Sequence, residues 1–456
     1  MTNRAHRKSK ITVSAIKRRL LLRRFFHTIR KRLIKKLYLG GTIPLHIRRR
    51  YNVKFRSEET FRRKYATCAI ETLQIAVPKI FCFKKDPHGA SDFFIDLKNG
   101  LSRKKPFNLN ISHENTEEIG LSASYLFDKL VKDYRAKWRR LGVEIGLSGR
   151  ISIRSKQVNN FLLSFGLLKE LNISAIHFTT GQVDFDYKDK YLTFKCQGSK
   201  KQNFKKSEAS TGLVNYFNGC FNYNGLQITE EGRSTLVDTF GEIIGNAEEH
   251  CGNEDGNWFA LGCYDKDTHV CGFAIINFGK TIYENLSDET STASEVIGKI
   301  RDVIESNKPF FDKIKQVVNT DHDEPIWNVM ALQDGISSKR TTSGKGRTRG
   351  QGFMDVLSFI DNVKAEDNGA TLCLVSGKSA IIVDYQYPIL NKKIANKDES
   401  RRILAFNKTG DLHRPPDLQK VIFLKNHIEG TVFSGSFRID EKYLKSRLEN
   451  KNDKRR

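Results

Sequence analysis

TLVDTFGEIIGNAEEH, residues Thr235–His250, is the stretch from which the second half of this chain is read. Leu236, Phe240, Ile243, Ile244 and Ala247 recur at steps of one, three and four, which predicts a helix with one apolar face. Glu242 and Asn246 are four residues apart and so sit one turn apart on the same side of that helix. A carboxylate in such a place can orient or deprotonate a water. An amide oxygen can ligate a hard ion such as Mg2+, which takes oxygen ligands and keeps several waters. Alone, Glu-x-x-x-Asn is common, and its plain reading is two exposed polar residues.

Three further pieces follow in order. Val270–Ile282, VCGFAIINFGKTI, reads as an apolar strand running into Asn277-Phe278-Gly279, where the glycine lets the backbone turn and approach a ligand. Ser343–Ile360, SGKGRTRGQGFMDVLSFI, is a Gly/Lys/Arg segment leading through Gly350-Gln351-Gly352 into a helix from about Phe353. Backbone N–H groups at a helix start form an anion site, and Lys345, Arg347 and Arg349 add charge beside it. Gly430–Ile439, GTVFSGSFRI, alternates like a strand opened by Gly-Thr.

In this order the four pieces resemble the GHKL superfamily, the ATP-binding fold of gyrase, heat-shock chaperones, histidine kinases and mismatch-repair ATPases. GEIIGNAEEH is similar to the N box, INFGKTI to the first glycine box, RGQGFMDVL to the second, and GTVFSGSF to the final Gly-Thr strand. The resemblance covers about residues 213–440, roughly half the chain. It implies an α/β (α+β) sandwich with a mixed sheet on one face and helices on the other. ATP and Mg2+ would be the cofactors. Glu242 would polarise the attacking water, and Asn246 would hold magnesium against the phosphates. Gly279 would pass the adenine, with Thr281 beside it. Gly350, Gln351 and Gly352 would cradle phosphates, and Thr431 would support the adenine-binding group. Residues 336–349 would be the lid. Asn277 stands where that family usually has aspartate; its amide oxygen can accept the adenine amino hydrogen bond, without the charge. Lys280 and Thr281 stand where a second glycine is common.

Charge divides the 456 residues sharply. Of the formal +26, residues 1–64 carry 22 Lys/Arg against Glu58 and Glu59, whereas the other 392 residues hold 56 bases and 50 acids. The arm has apolar residues from Ile16 to Leu37 at mixed steps among the bases, so a basic helical arm is expected. Such a helix can pack on the protein, bind nucleic acid through phosphates, or meet an anionic membrane face. No apolar core of a secretory signal follows the first bases, and no apolar run spans a bilayer, so integral membrane association is excluded at this level. Eight cysteines without a C-x-x-C pair read as reduced thiols of a cytoplasmic protein.

Between arm and site, strands and helices alternate over about 65–196, among them a helix at Lys156–Leu171 and a hairpin at Gln182–Cys196. The order of elements resembles a STAS-like α/β domain. Residues 197–212 (QGSKKQNFKKSEASTG) read as a linker, 387–418 as an insertion, 441–456 as a charged tail, and the acidic run Asp321–Glu324 as a solvated loop. Three functions remain open. The first is slow, Mg-dependent ATP hydrolysis coupled to a conformational or dimerisation switch. The second is a Ser/Thr protein kinase, or a non-hydrolysing switch for a protein partner, in stress signalling. The third is a nucleic-acid-associated, ATP-gated clamp or defence factor using residues 1–64. His113 and His177 lack the helical context of a phosphoacceptor.

Overall fold

The computed structural model describes residues 70–453 except 104, 180, 203, 253–255, 291, 319–322, 337–349, 366–368 and 394–399. The basic arm, with the nucleic-acid contact expected of it, and Lys345, Arg347 and Arg349 lie outside the described residues. The fold is mixed α/β with several small sheets. No described helix is long and apolar enough to cross a membrane.

The elements begin with β1 (Thr72–Ala76), β2 (Ile80–Phe81), α1 (Pro87–Leu101), β3 (Asn108–Ser112), β4 (Glu118–Ile119), α2 (Leu121–Arg140) and β5 (Leu147–Arg150). They continue with α3 (Lys156–Ser164) and α4 (Leu167–Glu170), so the single helix expected over 156–171 is broken at Phe165-Gly166. The glycine takes an extended backbone there, which ends the helical ladder.

The chain divides into two compact units. The first comprises the described residues up to Gln74, with Leu101–Asn110 and Leu130–Ser148. Its core holds Phe107, Leu109, Val131, Tyr134, Trp138 and Val143. The Tyr134 hydroxyl accepts from the Phe107 N–H at 2.7 Å, and Leu109 N–H donates to Gly146 O at 2.9 Å. Burial raises the Tyr134 pKa, consistent with a phenol that stays protonated.

The second unit comprises Ile75–Gly100, Ile111–Lys129 and the described part of Gly149–Arg456. It is built on a five-stranded sheet of β6 (Tyr191–Ser199), β7 (Asn257–Asp265), β8 (Val270–Asn277), β9 (Ala370–Val383) and β12 (Val421–Arg438), in the order β6-β7-β8-β12-β9. All four pairings are antiparallel, which corrects the mixed sheet expected. The short turn from Asp265 to Val270 forces β7 and β8 into a hairpin, and the long excursion after β8 returns to β9 beside β12. Residues 197–212 are no linker. They hold the end of β6 and the start of α5 (Lys205–Tyr223). The hairpin expected at 182–196 is turns followed by β6.

Both sheet faces are covered. On one lie α5, α6 (Glu230–His250) and α10 (Gly352–Val363), joined through Phe217, Phe240, Phe273 and Phe437. The Phe217 ring lies 5.3 Å from Phe240 and 5.7 Å from Phe273. On the other face, Tyr125 lies 5.0 Å from Phe259, Ser122 donates to Ser434, and Lys84 reaches Ser436. Double coverage explains why β7 and β8 are apolar almost throughout rather than alternating.

Between β8 and β9 come α7 (Ile282–Leu286), α8 (Ser294–Val318) and α9 (Glu324–Ala331), packed around Ile300, Phe311 and Trp327. Glu324, read from sequence as part of a solvated loop, is buried at the start of α9 and accepts from Lys378 N–H at 2.6 Å. Asp323 pairs with Lys315 at 2.6 Å. Between β9 and β12, the stretch 387–418 carries the hairpin of β10 (Leu390–Lys393) and β11 (Ser400–Ile403). The chain closes on α11 (Glu441–Asp453).

Candidate functional site

A cavity of about 600 Å³ lies within the second unit, bounded by α6, the ends of β8 and β12, α7 and the start of α10. That volume is within the ordinary range of small-molecule sites. Glu242, Asn246, Asn277, Gly350, Gly352 and Thr431 all line it, although they come from four separate stretches of sequence.

The sheet makes one end. Thr431 pairs with Asn277 and Phe433 with Ile275, so the antiparallel register sets these four side chains as a two-by-two block facing the cavity. Gly430, with φ of +79°, precedes Thr431; a methyl group on it would lie 2.1 Å from Asn277 O. Only glycine fits there, which explains the Gly-Thr opening seen in the sequence. Ile282 and Leu286 of α7 add an apolar wall. Asn277 is 5% exposed, and its Oδ1 accepts from Gly279 N–H at 3.3 Å.

Glycines and a carboxylate make the other end. Glu242 Oε1 accepts from Gly350 N–H at 2.9 Å. Gly350 has φ of +84°, and a methyl group on it would lie 2.6 Å from Ile336 O. Gly335 N–H donates to Gly350 O at 3.2 Å, so the two flanks of 336–349 meet at this point. The expected phosphate-cradling role of Gly350 is therefore modified, because its N–H is taken by Glu242. The first-turn N–H groups of α10, from Gly352 and Phe353, have no partner within the helix and belong to residues that line the cavity.

Some expected site residues are elsewhere. Gly279 does not line the cavity. Its role is close packing, since a methyl group there would lie 1.7 Å from His250 O at the end of α6. Thr281 is buried and caps α7: its hydroxyl accepts from Glu284 N–H at 3.1 Å, and Glu284 accepts from Thr281 N–H at 2.7 Å. That reciprocal capping box ties it to α7, and Thr281 is not among the residues that line the cavity. Gln351 lies at the start of α10 and does not line the cavity.

Other residues escaped the sequence reading. Lys206 lines the cavity from α5; its Nζ lies 3.6 Å from where a Gly245 side chain would begin, one residue before Asn246. The spacing of Ala209, Leu213, Phe217 and Cys220 was the signal for α5, masked by the lysines before it. Arg402 of β11 grips Asp334 through Nε at 2.8 Å and Nη2 at 2.9 Å, and reaches Asp355 of α10 at 2.8 Å. One guanidinium thus ties both flanks of the glycine turn, and no local pattern announces such a contact. Trp258 and Trp327 are buried core residues.

Among the described residues no group of three or more His, Cys, Asp or Glu could cage a metal ion. Asn246 offers one oxygen a turn from Glu242, a donor set suited to magnesium that arrives with phosphates and keeps its waters. Comparisons of the chain with protein-family models, with curated proteins and with solved structures gave no significant match.

Proposed function

We propose that the cavity is a magnesium-dependent purine nucleoside triphosphate site of the histidine-kinase-like ATPase type, within a GHKL-like sandwich, and that it turns over slowly. The observation that supports this reading is the convergence of six residues, from four motifs spread over Glu242 to Thr431, on one cavity of about 600 Å³. The cavity also has two chemically distinct ends. Ile275, Ile282, Leu286 and Phe433 offer an apolar slot for a flat base. Lys206, the free N–H groups at the start of α10 and the Asn246 amide suit a polyphosphate with its cation.

Magnesium, held by Asn246 and the phosphates, would neutralise charge on the transferred phosphoryl group. Glu242 is fixed through Oε1 by the Gly350 N–H, and its Oε2 remains to orient an attacking water. Purification of the full chain and measurement of nucleotide binding and phosphate release test this. Glu242→Ala is expected to retain binding and to lose at least about 100-fold in turnover, a typical effect for a positioned base. An unchanged hydrolysis rate in that variant would remove the water-positioning role. Labelled phosphate appearing on a protein partner instead of in solution would favour the kinase reading.

A further inference from the structure

The sheet end of the cavity carries a hydrogen-bonding pattern with a direction. Asn277 has one acceptor oxygen and an –NH2 donor. The Gly279 N–H faces its Oδ1, and only an oxygen satisfies that contact, so the amide orientation is fixed by the turn. The Nδ2 group makes no hydrogen bond among the described residues, although the side chain is more than nine-tenths buried and lines the cavity. The neighbouring Thr431 is constrained through Ser376. The single Ser376 hydroxyl proton goes to Gly430 O at 2.8 Å, and its oxygen accepts from Ile282 N–H at 3.0 Å. In the 3.1 Å contact between Ser376 and Thr431, Thr431 must therefore be the donor. Its oxygen is left toward the cavity as an acceptor only.

The pair thus offers a buried donor, Asn277, and an acceptor beside it, Thr431. A purine that enters the apolar slot with its Watson–Crick edge first and its 6-substituent at Asn277 brings the adjacent N1 to Thr431. Guanine and hypoxanthine present an O6 acceptor and an N1–H donor, which match. Adenine presents the reverse, an amino donor against the Asn277 donor and a bare N1 against the Thr431 oxygen. We infer that the site selects 6-oxopurine nucleotides, guanosine or inosine triphosphate, over ATP. This rests on the purine-nucleotide reading above and replaces the adenine expected from sequence. A buried donor left facing another donor is costly, so discrimination of about tenfold or more is expected.

The test is equilibrium binding of GTP, ITP and ATP to the full chain with magnesium, for the wild type and for Asn277→Asp. That substitution keeps the acceptor for Gly279 N–H and replaces the donor with a second, negatively charged acceptor. The expected result is GTP and ITP binding at least about tenfold tighter than ATP, with the preference abolished or reversed in Asn277→Asp. ATP binding as tightly as GTP to the wild type would overturn the inference and leave the triphosphate site standing. So would a ratio unchanged by Asn277→Asp, or ITP as weak as ATP, which would place recognition at the 2-amino group. Absence of binding by all three would overturn the proposed function itself.

Discussion

The two ends of the cavity are made by opposite means. At the sheet end, Asn277, Ile275, Thr431 and Phe433 are placed by backbone register between β8 and β12, in a stretch where both strands are largely buried. At the glycine end, the turn at Gly350 is held by side chains from afar: Glu242 on α6, and Arg402 on β11 through Asp334 and Asp355. A register can be altered only by disturbing the sheet, whereas a clamp can be released by one substitution. The sheet end is therefore expected to be rigid, and the glycine end adjustable.

Gly430→Ala attacks the sheet end and carries the largest expected effect. Its methyl group would meet Asn277 O at 2.1 Å, on a backbone with φ of +79°. Backbone must move on both strands, so a loss of at least about 4 kcal/mol is expected in chemical denaturation, with nucleotide binding lost as well. A loss below about 1 kcal/mol would show that the register is softer than described.

Arg402→Ala attacks the glycine end. It leaves Asp334, whose side chain is 5% exposed, without its bidentate partner, for an expected cost of about 3 kcal/mol. Arg402→Lys should recover only part of this, because an ammonium cannot make the planar fork. If the comparison holds, Arg402→Ala weakens triphosphate binding while leaving the ratio between bases unchanged. A change in that ratio would mean the ends are coupled.

The same contrast explains what could be read in advance. The sheet end was legible because its determinants are local, the strand running out into Asn277 and the Gly-Thr start of a strand, and so was the acid-amide spacing of 242 and 246 within one helix. The helix of Thr235–His250 is found within α6, and the GTVFSGSF strand within β12. The clamp was not legible, because Arg402, Asp334 and Asp355 are brought together from 334 to 402 by tertiary folding, and nothing in the spacing of an arginine reveals its partner. Lys206 was hidden for a different reason. Its helix opens with KKSEASTG, whose polarity resembles a linker until Leu213 begins the buried stripe. The capping position of Thr281 was hidden because the residues after a glycine turn can either meet a ligand or cap the next helix, and Glu284 three residues later was the capping signal.

Equilibrium binding of purine triphosphates to the full chain, with and without magnesium, in wild type and Asn246→Ala, tests the central claim most directly. The account predicts saturable binding that requires magnesium and is weakened about tenfold by Asn246→Ala, with the base preference unchanged. Binding indifferent to both magnesium and Asn246, or none at all, would contradict it.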